Sequence, residues 1–243
     1  MPADAQRLQL LRRVWLFAGL DDGELASIAA VSRERTCKKG EVLVRQGDPC
    51  GDLFSVLQGR LKVGSLAGED AEVLLSVVGP GEVFGEIALL DEEPRSATVV
   101  ALEPCRLLIV PRDAFRPLLR QLPALALRLL QILARHVRRL SARTEDAAGL
   151  DVRARLAKTL LELADRFGVE GARGKVRITL RLSQQDLGRM VGATREMVNK
   201  CLREWTSRGI ISTTNGQTVI ISRARLRKSA GLPARPVTPA PPR

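Results

Sequence analysis

One segment of this 243-residue chain combines side chains that are suited to binding a phosphate. Gly85 permits a close approach of the backbone, and a helical turn beginning at Glu86 would direct N–H groups at an anion. Arg95 offers a planar fork that suits a phosphate, Ser96 adds a hydroxyl, and an ionised Glu86 accepts from a ribose hydroxyl. An internal Arg95–Glu86 ion pair would use the same side chains. The predicted effector-binding residues are Gly85, Glu86, Ile87, Ala88, Arg95 and Ser96.

A second segment, residues 182–221, has capping and turn residues at the spacing of two short helices joined by a tight turn. Ser183 followed by Asp186 is a capping-box pattern that opens the first helix. Gly192 supplies the turn, and Thr194 is placed to cap the second helix, which ends at Gly209. The helices are predicted over residues 184–191 and 195–208, and strands over 210–214 and 217–222.

The strands of this segment are separated by Asn215–Gly216, a pair that favours a tight hairpin turn between β-rich runs. Val198, Leu202 and Trp205 share the inner face of the second helix. The order of two helices and a hairpin predicts a winged helix-turn-helix.

The outer face of the second helix carries side chains that can recognise bases. Arg195 and Lys200 can bond guanine, and Glu196 can accept from the cytosine amino group. Helix-capping residues would hold phosphates, although solvated helix charges would give the same pattern. The predicted DNA-contacting residues are Ser183, Gln184, Thr194, Arg195, Glu196, Asn199 and Lys200.

The net charge of +12 is uneven along the chain. Residues 1–140 carry 19 Lys and Arg against 18 Asp and Glu, whereas residues 141–243 carry 20 against 9. A strongly basic half joined to a near-neutral half predicts that the basic half meets a polyanion, with double-stranded DNA as the partner. A generic basic surface and a non-specific nucleoid-binding protein are the alternatives.

The elements around these segments change character along the chain. Nine glycines between residues 40 and 85 separate short apolar runs, which predicts an antiparallel barrel or sandwich. Residues 123–148 then follow a helical period with two apolar stripes, one for the domain core and one for the same helix of a second chain. A wide core-facing stripe in a monomer is the alternative. The seam comprises residues 126, 130, 133, 137, 140, 144 and 147, and the second stripe comprises residues 125, 129, 132 and 136.

Composition argues against several classes of protein. The four cysteines are scattered, which argues against zinc, iron–sulfur and disulfide frameworks. The chain contains no apolar run of 18 residues and no secretory-signal layout, so we expect a cytoplasmic protein with no membrane partner. One histidine, no tyrosine and no nucleophile–base motif argue against an enzyme.

The phosphate segment and the residues 195–200 together resemble the cAMP receptor protein / fumarate-nitrate regulator (Crp/Fnr) family over residues 15–223. The resemblance implies an α+β fold in which a β-roll of the cyclic-nucleotide-binding type precedes a long dimerisation helix and a winged helix-turn-helix. It also implies a homodimer on a two-fold symmetric DNA site and a contact of residues 168–174 with RNA polymerase. The expected boundaries are 15–122 for the effector domain, 123–148 for the dimer helix, 150–223 for the DNA-binding domain and 231–243 for a disordered proline-rich tail.

The resemblance further implies that cAMP, or else cGMP, is the effector. We expect no metal, haem or iron–sulfur cluster, because clustered N-terminal cysteines are absent and the only histidine, His136, lies within the dimer helix. Two adjacent polar residues of the dimer helix reach the purine in cAMP-responsive relatives, and Leu140–Ser141 occupy those positions here. Ser141 keeps a hydroxyl and joins the predicted effector residues, whereas Leu140 cannot bond the purine amine. The alternative is a DNA-binding dimer with a vestigial pocket that is active without ligand.

Overall fold

The structure, a computed structural model, describes residues 3–49, 51–67, 71–214 and 216–232. Its contacts divide the chain into two units, Met1–Leu140 and Ser141–Arg243, which are described in turn.

The strands of the first unit form two antiparallel sheets. Their bounds are β1 (Arg33–Cys37), β2 (Val42–Val44), β3 (Leu53–Gln58), β4 (Leu61–Ala67), β5 (Ala71–Val78), β6 (Val83–Phe84), β7 (Thr98–Ala101) and β8 (Cys105–Val110). Within the described residues the sheets have the strand orders β1-β8-β3-β6 and β2-β7-β4-β5. The glycine-punctuated apolar runs therefore form the antiparallel architecture that they predict.

Strand β8 shows how this unit builds two cores from one strand. Successive side chains of a strand point to opposite faces. Leu107 and Ile109 belong to the core between the sheets, whereas Leu108 and Val110 belong to the core beneath the helices. All four are at most 3% exposed. Burial on both faces explains why this strand is a continuous apolar run rather than an alternating one.

The helices of the first unit cover one of these sheets. They are α1 (Ala3–Arg12), a 3-10 turn (Trp15–Phe17), α2 (Asp22–Val31), α3 (Glu86–Asp91), α4 (Arg112–Gln121) and α5 (Pro123–Gly149). Leu125 and Leu129 of α5 are buried in the core beneath the helices, and Ile132 packs against it. One apolar stripe of α5 thus faces its own domain, as predicted from the spacing.

Three apolar residues of the seam on α5 are exposed in this chain. Leu130, Val137 and Leu140 are 60%, 63% and 55% exposed. Apolar side chains at heptad spacing without cover are typical of a helix that pairs with another chain.

The second unit contains the predicted winged arrangement. Its elements are α6 (Val152–Phe167), β9 (Gly168–Glu170), a 3-10 turn (Ala172–Gly174), β10 (Val176–Ile178), α7 (Gln184–Val191), α8 (Arg195–Ser207), β11 (Ile211–Thr214), β12 (Gln217–Ile220) and α9 (Arg223–Ser229). The strands have the order β11-β12-β10-β9. Asn215 and residues 233–243, which include most of the predicted tail, lie outside the described residues. The predicted fold class, an α+β chain with a β-roll, a long helix and a winged helix-turn-helix, is confirmed.

Candidate functional site

A cavity of about 250 Å³ lies in the first unit. Its wall is formed in part by strands β4–β7, by helix α3 and by residues 132–140 of α5. Six of the predicted effector residues line it: Gly85, Glu86, Ile87, Ala88, Arg95 and Ser96. Ser141 is exposed on α5 and is not among the lining residues.

Gly85 gives the cavity wall its shape. It lies between β6 and α3 with φ at +87°, a conformation that side chains disfavour. A β-carbon at this position would lie 2.6 Å from Nη1 of Arg95 and 3.0 Å from the carbonyl oxygen of Asp52. The absent side chain therefore leaves the space through which the Arg95 guanidinium passes.

Arg95 is held firmly in the wall although it carries a charge. Its Nη1 donates to the carbonyl of Gly85 at 3.0 Å, and its Nη2 donates to the carbonyl of Asp52 at 2.8 Å. The guanidinium also lies 5.6 Å from the centroid of the Phe54 ring, and Phe54 stacks on Phe84 at 4.8 Å. Arg95 is only 6% exposed, so a positioned positive charge borders the cavity, and hydrogen bonds to carbonyls offset part of the cost of burying it.

Glu86 is the buried acid of the site. It is 3% exposed, and its Oε1 lies 3.2 Å from Nδ1 of His136 on α5. From the sequence, an internal ion pair between Arg95 and Glu86 is the alternative to ligand binding by these side chains. In the structure the carboxylate of Glu86 meets His136, while the guanidinium of Arg95 donates to carbonyl oxygens. The contact of Glu86 with His136 joins α3 to α5 across the cavity.

The α5 wall of the cavity is rich in basic residues. Arg135, His136 and Arg139 line it together with Leu140. Arg135 lies over the ring of Trp15 at 3.8 Å from the ring centroid, and Trp15 itself lines the cavity. The three basic side chains occupy neighbouring positions on one side of the helix and border the cavity together.

The sequence patterns did not single out His136 or Trp15 as site residues. The signal for His136 was its position in the buried stripe of α5, four residues after Ile132. The helical spacing predicts that His136 faces its own domain. It does not predict that His136 contacts Glu86, which lies 50 positions earlier in the chain.

The second candidate site is the surface of α7 and α8. Ser183 caps α7, accepting from the N–H of Asp186 at 3.0 Å while Asp186 accepts from the N–H of Ser183. Thr194 caps α8 by accepting from the N–H of Met197. Gly192 takes φ at +64° between the helices. These caps fix where each helix begins and hence which face it presents.

The predicted base-contacting residues of α8 share one accessible face. Arg195, Glu196 and Lys200 are exposed and Asn199 is half-buried, whereas Val198, Leu202 and Trp205 are buried. Ser183 and Thr194 are also exposed, and Gln184 is half-buried. The helix therefore presents a polar row and buries an apolar one, as the sequence predicted.

An ion pair between two helices holds α8 on α6. Arg153 and Glu204 form a bidentate ion pair, in which Nη1 of Arg153 lies 2.8 Å from Oε1 of Glu204. Hydrogen bonding to Arg153 lowers the pKa of Glu204 below its ordinary value. Arg155 donates to the carbonyl of Val191 at 2.9 Å, which ties α6 to the end of α7.

No cluster of three or more metal-ligating side chains occurs among the described residues. None of the helices in the described ranges has the length and apolar character needed to cross a membrane.

Comparisons with known proteins agree with this geometry. The cyclic nucleotide-binding domain family matches residues 34–122, and the Crp-like helix-turn-helix domain family matches residues 154–229. The chain is 33% identical to a CRP-like cAMP-activated global transcriptional regulator of Mycobacterium tuberculosis, over 88% of this chain and 95% of the relative. It is 31% identical to the cyclic AMP receptor protein of Thermus thermophilus, over 88% and 96%.

A solved structure shows the same arrangement. A transcriptional regulator of the CRP/FNR family from Thermus thermophilus is 29% identical and superposes with a TM-score of 0.65, covering 82% of this chain and 98% of that one. The family models cover both units, and the relatives match over almost their entire length. The chain is a transcription regulator with a cyclic nucleotide-binding domain and a DNA-binding helix-turn-helix, and it belongs to the Crp/Fnr family.

Proposed function

We propose that this protein regulates transcription as a homodimer on a two-fold symmetric DNA site, under the control of a cyclic nucleotide, cAMP in the first place and cGMP in the second. The observation that carries the proposal is Arg95, a buried and positioned cation in the wall of a small cavity. Two relatives whose names include cAMP or cyclic AMP are more than 30% identical to this chain.

Charge in the cavity matches one cyclic nucleotide. The lining includes Arg95, Arg135 and Arg139 against Glu82 and Glu86, a net charge of +1 when His136 is neutral. A cyclic nucleotide carries one negative charge on its phosphodiester. Ligand and wall would therefore neutralise each other, which lowers the cost of burying either charge.

Each predicted effector residue has a proposed role. Arg95 and Ser96 hold the phosphate, together with backbone N–H groups of Gly85, Ile87 and Ala88. Glu86 accepts from the ribose hydroxyl. Ser141 extends its hydroxyl to the purine in the cavity of the second chain.

Calorimetry with cAMP on the full chain tests the effector. Binding heat is expected for the unaltered protein and is expected to vanish in Arg95→Ala. Arg45→Ala is the matched control, because Arg45 is an exposed arginine of the same unit and does not line the cavity. Absence of heat with both cAMP and cGMP, at several temperatures, would reject cyclic-nucleotide control.

A vestigial pocket is the second candidate function. Leu140 lines the cavity where a polar group would serve the purine, and the Arg95 guanidinium already has carbonyl partners. This protein would then bind its DNA site equally well without ligand. A gel-shift titration with and without cyclic nucleotide separates the two candidates.

The homodimer is proposed through α5. Leu130, Val137 and Leu140 form its exposed apolar row, and burying such a row needs a second helix. Val137→Glu places a charge in that row and is expected to shift the protein towards monomer in sedimentation. Arg138→Glu changes the charge at the neighbouring exposed position and is expected to leave the dimer intact.

The proposed DNA contacts are Ser183, Gln184 and Thr194 with phosphates, and Arg195, Glu196, Asn199 and Lys200 with base edges. A non-specific nucleoid protein would show a steep salt dependence but no preferred sequence. Affinity for a selected site against random duplex at one salt concentration distinguishes them.

RNA polymerase is the further proposed partner, at residues 168–174. This segment forms β9 and the following 3-10 turn, and Arg173 on it is exposed. Arg173→Ala is expected to lower transcription in a purified system while DNA binding is retained. Unchanged transcription would contradict the proposed contact of this segment with RNA polymerase.

A further inference from the structure

We propose that His136 is a positioning residue of the effector cavity and that it takes up a proton when the cyclic nucleotide binds. The proposal rests on the proposed function, because it concerns the same cavity. The protein would bind its ligand more tightly as the pH falls through the range in which a histidine titrates.

The geometry of the pair carries the first step. His136 Nδ1 lies 3.2 Å from Oε1 of Glu86, so the imidazole fixes the carboxylate through one of its nitrogens. Glu86 is almost fully buried, whereas the imidazole is 33% exposed. Protons therefore have access to His136 while the acid that it orients is closed in.

The charges around His136 carry the second step. Glu86 of α3 contacts it, Arg135 and Arg139 flank it on α5, and Arg95 and Glu82 line the same cavity. Without ligand the three arginines oppose a further positive charge on His136. A bound phosphodiester adds one negative charge among these groups, and the opposition is thereby reduced.

Linkage turns this change into a measurable effect. If the ligand raises the affinity of His136 for a proton, the proton raises the affinity for the ligand by the same factor. The sign is fixed by charge: the protonated state attracts the anion, so affinity is higher below the titration range of the imidazole and falls above it. Histidine is the side chain that changes charge between about pH 5 and 8.

The composition of the chain makes the effect assignable. His136 is the only histidine among 243 residues. The phosphodiester keeps its single charge throughout this pH range. A pH dependence in the neutral range that responds to substitution of His136 is therefore attributable to this side chain.

The experiment is calorimetry of cAMP binding to the full-length protein from about pH 5.5 to about pH 8.5, in buffers of different ionisation enthalpy. We expect net proton uptake near neutral pH and an affinity about tenfold higher at the acid end than at the alkaline end, the effect of an opposite charge within about 4–6 Å of a titrating group. His136→Gln keeps an N–H for Glu86 but cannot titrate, so binding persists without proton uptake. His136→Arg is always charged, so its affinity at the alkaline end should match that of the unaltered protein at the acid end.

Outcomes for the two proposals are distinct. Binding without proton uptake, or a pH dependence that persists in His136→Gln, would overturn the role of His136 and leave cyclic-nucleotide control standing. Equal loss of binding in His136→Gln and His136→Arg at all pH values would show a merely structural residue and would also overturn it. Absence of binding by the unaltered protein at every pH, with cAMP and with cGMP, would overturn both proposals.

Discussion

Arg95 of the first unit and Arg195 of the second unit are both proposed to contact negatively charged ligands, but they lie in opposite surroundings. Arg95 is buried and donates to the carbonyls of Gly85 and Asp52. Arg195 is the first residue of α8 and is exposed. A small anion that must be enclosed needs a cation fixed in advance, because ordering a long side chain at the moment of binding is costly. A duplex that is met from outside can be contacted by cations that stay hydrated until it arrives.

The two units also differ in net charge in a way that fits these ligands. Positive and negative residues nearly balance in residues 1–140, so the positive charge at the cavity comes from the residues that line it. The excess of basic residues in 141–243 is of the kind that speeds association with DNA. The difference predicts that substitutions in the cavity alter stability and ligand affinity, whereas substitution of the exposed Arg195, Glu196 or Lys200 of α8 alters DNA binding with little effect on stability.

The largest expected effect is that of Arg95→Ala on folding. Removing the guanidinium leaves the partly buried carbonyls of Gly85 and Asp52 without this donor, and hydrogen bonds to charged groups contribute about 1.5–3 kcal/mol each. We expect the free energy of unfolding of the first unit to fall by about 3 kcal/mol in chemical denaturation. Arg195→Ala, as the matched arginine in the other unit, should leave the free energy of unfolding within about 0.5 kcal/mol. Equal losses in both variants would remove the contrast.

The next effect is that of Arg195→Ala on DNA. Loss of a bidentate contact to a guanine should weaken specific binding by about 1–3 kcal/mol and relax the preference at one base pair. Fluorescence anisotropy against the selected site and its single-base variants measures both quantities. A weaker affinity with an unchanged sequence preference would make Arg195 a phosphate contact rather than a base contact.

Two glycines with positive φ give a finer comparison. Gly85→Ala and Gly216→Ala share the backbone strain of a left-handed residue, about 1–2 kcal/mol, at φ of +87° and +73°. Only Gly85 has atoms within 3.0 Å of the added β-carbon, whereas Gly216 has open space around it. Gly85→Ala should therefore be the more destabilising variant by about 1–2 kcal/mol and should also weaken cAMP binding. Thermal unfolding of both variants measures this difference. Equal melting temperatures would show that an added β-carbon at Gly85 meets no steric conflict.

The smallest expected effect concerns the ion pair of the second unit. Arg153 holds the pKa of Glu204 below its ordinary value, so the charged pair stabilises the folded state above the pKa that Glu204 has in the unfolded chain. That stability is lost as the pH falls through the lower, folded-state pKa. The melting temperature of the second unit should therefore decline in acid, and it should decline less in Glu204→Gln. An identical acid profile in this variant would show that the pair contributes nothing measurable.

The structural features that could be predicted from sequence are those set by neighbours in the chain. Asp151, Ser183 and Thr194 cap helices through hydrogen bonds to N–H groups three residues ahead, and such local chemistry is visible in sequence. The buried row of α8 and the two stripes of α5 follow from helical period in the same way. For this reason the bounds of α7 were predicted to the residue.

Features that join distant segments could not be predicted. Strand β1 is exposed at every position except Cys37, so it shows no alternation, and only its pairing with β8 defines it. The contacts of Arg95 with Asp52 and of Glu86 with His136 cross 43 and 50 positions. Residue types predicted that Arg95 and Glu86 belong to one site, but only the fold determines which partner each one has.

Control of DNA binding through the cavity can be tested by selecting binding sites from a random duplex library, with and without cAMP. We predict that the unaltered protein and Arg45→Ala enrich one two-fold symmetric sequence, with half-sites about 10 base pairs apart or a multiple of that, only when cAMP is present. Arg95→Ala should enrich nothing under either condition. Enrichment of the same sequence to the same extent without cAMP, or by Arg95→Ala, would contradict control of DNA binding through the cavity.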